Sequence, residues 1–288
     1  MIRPKTISEQ LIFSTVRIEI ELSNGKIGTG TGFFFNFKIE GEKIIPVIIT
    51  NKHVVKDAIK GRFSLHEGEI IDSVVVPNGK FIPVELDNFE KRWISHPNEE
   101  VDLCAMFFQP LRVEAERQKK IIFNVNLDES LIPTEEFLLD LTAAEEILMI
   151  GYPIGLWDHI NNLPIMRRGI TATHPAIDFC GKSILVIDVA CFPGSSGSPV
   201  MLVSEGFYAT KKGTTIGNRA TLLGVLFAGP QIDTYGDIKI EDIPTARKVI
   251  SSTKIMINLG YVIKAKEIMQ LGEILKKQAF SKDKNQVT

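Results

Sequence analysis

The stretch Leu11-Ile12-Phe13-Ser14-Thr15-Val16-Arg17-Ile18-Glu19-Ile20-Glu21-Leu22 places Val16, Ile18, Ile20 and Leu22 on one side of an extended chain and Arg17, Glu19 and Glu21 on the other. A period of two with one apolar face predicts a half-buried β-strand. Similar segments recur at 26–39, 43–50, 80–86, 102–108, 147–152, 164–174, 184–191, 199–203, 222–228 and 254–263. Roughly a dozen short strands divided by Gly, Pro and Asn turns predict a sandwich or a pair of barrels, because a parallel α/β sheet needs a helix between successive strands. Helical pattern is confined to 112–120, a charged segment midway along the chain, and to 265–278. The second of these gathers Ile268, Leu271, Ile274 and Leu275 on one face and carries Lys276 and Lys277 near its end, as a docking helix does.

Composition narrows the function classes. The 288 residues hold 33 Lys+Arg against 35 Asp+Glu, a formal charge of −2, and this near-balance gives no electrostatic case for nucleic acid or an anionic membrane surface. The apolar runs are far shorter than the ~20 residues needed to cross a bilayer, and no signal-peptide core follows the first basic residues. Three cysteines, Cys104, Cys180 and Cys191, are too few and odd in number for a disulfide framework, so a cytoplasmic protein is expected. The sequence carries no metal-ligand spacing, and neither a metal nor another cofactor is expected. Gly28-x-Gly30-x-Gly32 has the wrong spacing for a dinucleotide loop.

The segment Phe192-Pro193-Gly194-Ser195-Ser196-Gly197-Ser198-Pro199 lies between two apolar strands. Glycines on either side of a serine pair allow a tight turn that exposes a hydroxyl and aims backbone N–H groups at one point. Taken alone, a plain Gly/Ser turn accounts for it as well. A nucleophilic serine needs a base and a group that orients the base. His53 follows the apolar run Val47-Ile48-Ile49, where a strand ends, and Asp102 leads into the run 103–108, where an unpaired carboxylate would be costly. His66, His96, His159 and His174 lack such partners in the sequence, and the loop 153–164 reads as a surface loop or a gate over the cleft.

The order His53, Asp102, Ser196 distinguishes this chain from the α/β-hydrolases and subtilisins. Thr50-Asn51-Lys52-His53-Val54, Asp102-Leu103-Cys104-Ala105 and Gly194-Ser195-Ser196-Gly197-Ser198-Pro199 resemble the three catalytic motifs of chymotrypsin-fold, trypsin-like serine peptidases, in the bacterial version related to HtrA-type protease domains. Gly28-Thr29-Gly30-Thr31-Gly32-Phe33-Phe34-Phe35, Gly151-Tyr152-Pro153-Ile154-Gly155 and Gly224-Val225-Leu226-Phe227-Ala228-Gly229 extend the resemblance over about residues 28–263.

The resemblance implies an all-β fold of two six-stranded antiparallel β-barrels with a C-terminal α-helix. One lobe would span 8–110 and carry His53 and Asp102, a linker 111–140, and a second lobe 141–264 would carry Ser196 and the substrate pocket, followed by the helix 265–280. It also implies a serine endopeptidase with an acyl-enzyme on Ser196, His53 as general base, Asp102 as its orienting carboxylate and the N–H groups of Gly194 and Ser196 as oxyanion hole. Ala190, Cys191, Phe227, Ala228 and Gly229 would shape the substrate pocket.

Several departures from the family pattern matter. Ser195 replaces the aspartate that pairs with a new amino terminus in zymogen-derived members. Ala190 replaces the acidic residue of Arg/Lys-specific members, and Leu226 or Phe227 stands where glutamate-specific members carry a pocket histidine, which together point to an uncharged or apolar P1 residue. Only 25 residues follow Ile263, too few for the PDZ module of HtrA-type enzymes, so a stand-alone peptidase is expected. The partner implied is a polypeptide substrate, and restraint of the enzyme would come from narrow specificity, a disordered oxyanion loop or a regulatory protein partner. The alternative is a protease-like binding or scaffold module whose triad is latent or inactive.

Overall fold

The structure is a computed structural model and describes residues 1–39, 41, 43–211, 213–237, 250–256 and 258–284. After the short helix α1 (Ile7–Leu11) the first half folds into a nine-stranded sheet. Its strands are β1 (Thr15–Leu22), β2 (Ile27–Lys38), β3 (Ile44–Thr50), β4 (Ala58–Ile71), β5 (Val74–Asp87), β6 (Ile94–Ser95), β7 (Cys104–Phe107), β8 (Ile121–Phe123) and β9 (Leu127–Asp128). They run in the order β5-β4-β1-β2-β3-β7-β6, with β8 on β4 and β9 on β2. The helix α2 (Lys52–Val55) follows β3, and α3 (Gln109–Arg117) and α4 (Glu135–Asp140) lie between the halves.

The second half closes into a six-stranded barrel. It is built from β10 (Glu146–Gly151), β11 (Ile165–Thr171), β12 (Ile184–Asp188), β13 (Pro199–Ser204), β16 (Arg219–Ala228) and β19 (Leu259–Lys264), in the order β10-β11-β12-β19-β16-β13. Two hairpins stand off it, β14 (Phe207–Thr210) with β15 (Gly213–Ile216) and β17 (Gln231–Asp237) with β18 (Ile250–Met256). The chain ends its described part in α5 (Lys266–Lys284), somewhat longer than the 265–280 expected.

The all-β expectation is borne out, and the alternation along β1 has its physical counterpart. Val16, Ile18 and Ile20 are buried, whereas the opposite face of β1 carries Arg17 and Glu19, joined at 2.9 Å, and Glu21, which accepts from Arg62 at 2.9 Å. The segment 111–140 is more than a linker. Its β8 and β9 pair with β4 and β2 and so belong to the first sheet.

One apolar cluster joins the two halves. Phe33, Phe35, Phe37 and Ile49 from the first sheet pack with Ile150, Met201, Leu222 and Ile263 from the barrel, and Ile268, Leu271 and Leu275 of α5 close it. The helix comes so near that a Cβ on Gly272 would lie 2.5 Å from the Phe37 ring. Around this contact, Lys276 pairs with Glu129 at 3.0 Å and the buried His96 Nε2 donates to the Glu267 carbonyl at 3.2 Å. A shared core of this kind fixes the relation between the halves, because close-packed interiors do not slide freely.

Candidate active site

His53 and Asp102 meet because of strand register. β3 and β7 are antiparallel with Thr50 opposite Cys104, so the residues just after β3 and just before β7 emerge at the same end of the ladder. His53 Nδ1 lies 2.5 Å from Asp102 Oδ2, and the His53 backbone N–H donates to Asp102 Oδ1 at 3.1 Å. Asn51 Nδ2 donates to the Asp102 carbonyl at 2.7 Å, and Lys52 Nζ to the Asn98 carbonyl at 3.0 Å. Below the histidine, Val54 and Val55 are buried. Gly30 of β2 leaves the space that Val54 fills, since any Cβ there would collide with the valine. The glycine-rich strand thus lets the histidine turn sit directly on the sheet.

Ser196 arrives from the barrel. The loop 192–198 follows Cys191 and precedes β13, and Gly194 and Gly197 both hold φ +88°, a conformation natural to glycine. Thr31 of β2 receives this loop. Its N–H donates to the Ser196 carbonyl at 2.9 Å, its hydroxyl to the Gly194 carbonyl at 3.0 Å, and its hydroxyl oxygen accepts from Tyr152 N at 3.1 Å. Gly197 N donates to the Leu226 carbonyl at 2.8 Å, and a Cβ on Gly197 would strike the Thr31 carbonyl.

The Pro193 carbonyl accepts from Ile154 N at 2.5 Å, which turns the Gly194 N–H to the opposite side of that peptide plane. Among the described residues neither Gly194 N–H nor Ser196 N–H donates a hydrogen bond, while Ser195, Gly197 and Ser198 do. Two free donors in one tight loop can hold an oxyanion. Ser196 Oγ donates to the Phe227 carbonyl at 3.4 Å and makes no hydrogen bond to His53.

A cleft of about 260 Å³ opens at the serine and is lined by Cys191, Phe192, Pro193, Ser196, Leu226, Ala228 and Gly229. Of the pocket residues expected, Cys191, Ala228 and Gly229 line it. Phe227 instead turns its ring to Tyr261, with centroids 6.5 Å apart, and Ala190 presents its carbonyl to Arg167 at 2.5 Å. Sequence reasoning passed over Thr31 and Arg167. The alternation Gly28-x-Gly30-x-Gly32 could have singled out Thr31 as the side chain between glycines; nothing local signals Arg167.

The loop 153–164 is tied down at its far end. Asn162 Nδ2 donates to the Ser64 carbonyl at 2.7 Å, and His66 Nε2 lies 3.0 Å from the Asn162 carbonyl. Burial pushes the His66 imidazole down to about 4, against the raising effect of that hydrogen bond. Arg17 lies over the Trp157 ring at 5.3 Å. Among the described residues no group of His, Cys, Asp and Glu could hold a metal ion, and no helix is long and apolar enough to cross a membrane.

No curated protein matches the chain. Among solved structures, the chain is similar to the active form of the Rv3671c protease from M. tuberculosis, at 14% identity and a TM-score of 0.42, covering 90% of this chain and 78% of that one. The family model for the trypsin-like peptidase domain matches residues 30–207, more than half of the chain and a span that holds His53, Asp102 and Ser196. The chain belongs to the trypsin-like peptidase domain family and is a serine endopeptidase.

Proposed function

We propose that this peptidase cleaves its polypeptide substrate through His53, Asp102 and Ser196. The observation that carries this reading is the 2.5 Å contact between His53 Nδ1 and Asp102 Oδ2, which fixes the imidazole with Nε2 free to act. Ser196 Oγ attacks the scissile carbonyl carbon while His53 Nε2 takes its proton. The tetrahedral oxyanion is held by the N–H groups of Gly194 and Ser196, each contributing on the order of 3 kcal/mol. Collapse expels the amine, protonated by the imidazolium, and leaves an ester on Ser196, which water hydrolyses by the same route in reverse. Asp102 holds the imidazole tautomer and stabilises its charged form. The cleft wall of Cys191, Leu226, Ala228 and Gly229 carries no carboxylate, which disfavours a basic P1 residue. Cys104, Cys180 and Cys191 are all free, which supports a reducing compartment, the cytoplasm.

A second reading rests on Ser196 Oγ bonding to Phe227 rather than to His53. In it the triad is latent until substrate or a regulatory protein turns the hydroxyl. A fluorophosphonate probe tests both. The purified chain is expected to gain one adduct, mapped to Ser196 and absent from Ser196→Ala. Labelling that appears only with an added protein partner favours the latent form, and no labelling under either condition overturns the triad.

A further inference from the structure

Arg167 lies where the substrate cleft meets the barrel. β11 runs opposite β10 with Arg167 facing Met149, a buried residue of the barrel core, so its side chain points inward. Two residues on, Gly169 lets β11 press against the 188–190 segment, because a Cβ there would lie 2.7 Å from Val189 Cβ. The Arg167 guanidinium therefore reaches the Ala190 carbonyl at 2.5 Å and sits 4.8 Å from the centre of the Phe192 ring. Ala190 precedes Cys191, and Cys191 and Phe192 both line the cleft at Ser196.

Among the described residues no carboxylate pairs with Arg167, although Arg17, Arg62, Arg168 and Arg219 each pair with at least one. One of its five N–H donors is used by Ala190. Its effect already reaches the cleft wall: burial pushes the Cys191 thiol up to about 11, and the Arg167 cation pulls the other way by favouring the anion. A cation behind an otherwise apolar, half-enclosed wall focuses a positive potential into the cleft. The family pattern at Ala190 removes the acidic residue that would select Arg or Lys, and Arg167 adds a charge of the opposite sign.

We propose that Arg167 is a specificity-determining residue and that this peptidase cleaves polypeptides after an acidic P1 residue, glutamate or aspartate. This replaces the uncharged or apolar preference drawn from Ala190 and from the missing pocket histidine at Leu226 or Phe227, with the Arg167 cation taking the charge-bearing role of that histidine, and it rests on Ser196 being the nucleophile that the cleft serves. A P1 carboxylate in the cleft is stabilised by the field of the guanidinium behind the wall, a cation that cannot lose its proton. The isosteric amide, glutamine, fills the same volume without the charge and is the proper comparison.

The test uses the full chain and quenched peptides that differ only at P1: Glu, Gln, Leu or Lys. Glu is expected to exceed Gln in kcat/KM by about tenfold or more, a margin that narrows at high salt. Arg167→Gln is expected to bring the Glu/Gln ratio to about one, and Arg167→Lys, which keeps the charge, to restore part of it. Equal cleavage of Glu and Gln peptides by the wild type, or a ratio unmoved in Arg167→Gln, overturns the proposal. A binding arm separates this outcome from failure of the nucleophile. In Ser196→Ala, fluorescence anisotropy is expected to show tighter binding of the Glu peptide than of the Gln peptide, and Arg167→Gln in that background is expected to abolish the difference. Equal binding there overturns the role of Arg167 even if no peptide is cut, whereas absence of fluorophosphonate labelling with the binding preference intact overturns only the nucleophile.

Discussion

The backbone N–H of Thr31 donates to the carbonyl of Ser196 at 2.9 Å, so the strand that supports the His53 turn also holds the loop that carries Ser196. The hydroxyl of Thr31, fully buried, adds bonds to Gly194 and Tyr152 on either side. Thr31→Val keeps the shape and removes both. It leaves the Tyr152 N–H without its acceptor, which costs about 2 kcal/mol for a buried donor. Fluorophosphonate labelling of Ser196 is expected to slow by on the order of tenfold, since the Gly194 peptide loses its brace. Unchanged melting and unchanged labelling would show that the backbone bond alone suffices.

Asp102→Asn preserves volume but offers an amide to an imidazole that must keep its proton on Nδ1. If tautomer control is the role of Asp102, turnover falls by about 10⁴ while peptide binding to the cleft is retained. A loss of less than about tenfold, measured with the preferred peptide, would remove Asp102 from the proposed machinery.

Acid should weaken the anchor of the loop 153–164. The buried His66 is held at about 4, below the ~6.5 of an unfolded chain, so between these values the unfolded state binds the extra proton. Stability from this residue is complete above about pH 6.5 and declines as pH falls towards 4, with a total of roughly 3 kcal/mol. The added proton would sit on Nδ1, a buried atom with no acceptor. His66→Gln has no such titration. Urea midpoints at pH 7, 5.5 and 4 are expected to favour the wild type at neutral pH and to converge, or cross, at low pH. A constant difference across that range would contradict the assignment.

Gly272 gives a test of sign. Helix propensity alone makes Gly272→Ala stabilising by ~1 kcal/mol. Here the new Cβ would press on the buried Phe37 ring at 2.5 Å, and that ring already packs against Phe35 at 4.8 Å between centroids. Overpacking of this kind costs about 1–3 kcal/mol, so the net change is expected to be destabilising. A raised melting temperature would show that α5 can shift outward without loss.

Local pattern was enough for some of this protein. The alternation in 11–22 announced a strand with one buried face because period two is a property of the extended backbone itself, and Val16, Ile18 and Ile20 obey it. The glycines around Ser196 announced a tight loop because φ +88° at Gly194 and Gly197 is a cost other residues cannot easily meet. The order His53, Asp102, Ser196 and the motifs around them pointed to the family without any coordinates. What remained hidden depends on contacts between distant segments. The sequence contains no sign that β3 and β7 align Thr50 with Cys104, that Thr31 bridges the halves, or that β8 and β9 return to the first sheet. Nor does it show that Ser196 Oγ turns to Phe227, a choice among staggered rotamers made by the surrounding backbone. Ala190, with Leu226 or Phe227 in place of a pocket histidine, argued for an uncharged P1 residue; only the packing of β11 against the 188–190 segment places the Arg167 charge behind that same wall, because a field in a cleft is set by distance through the fold and not by distance along the chain.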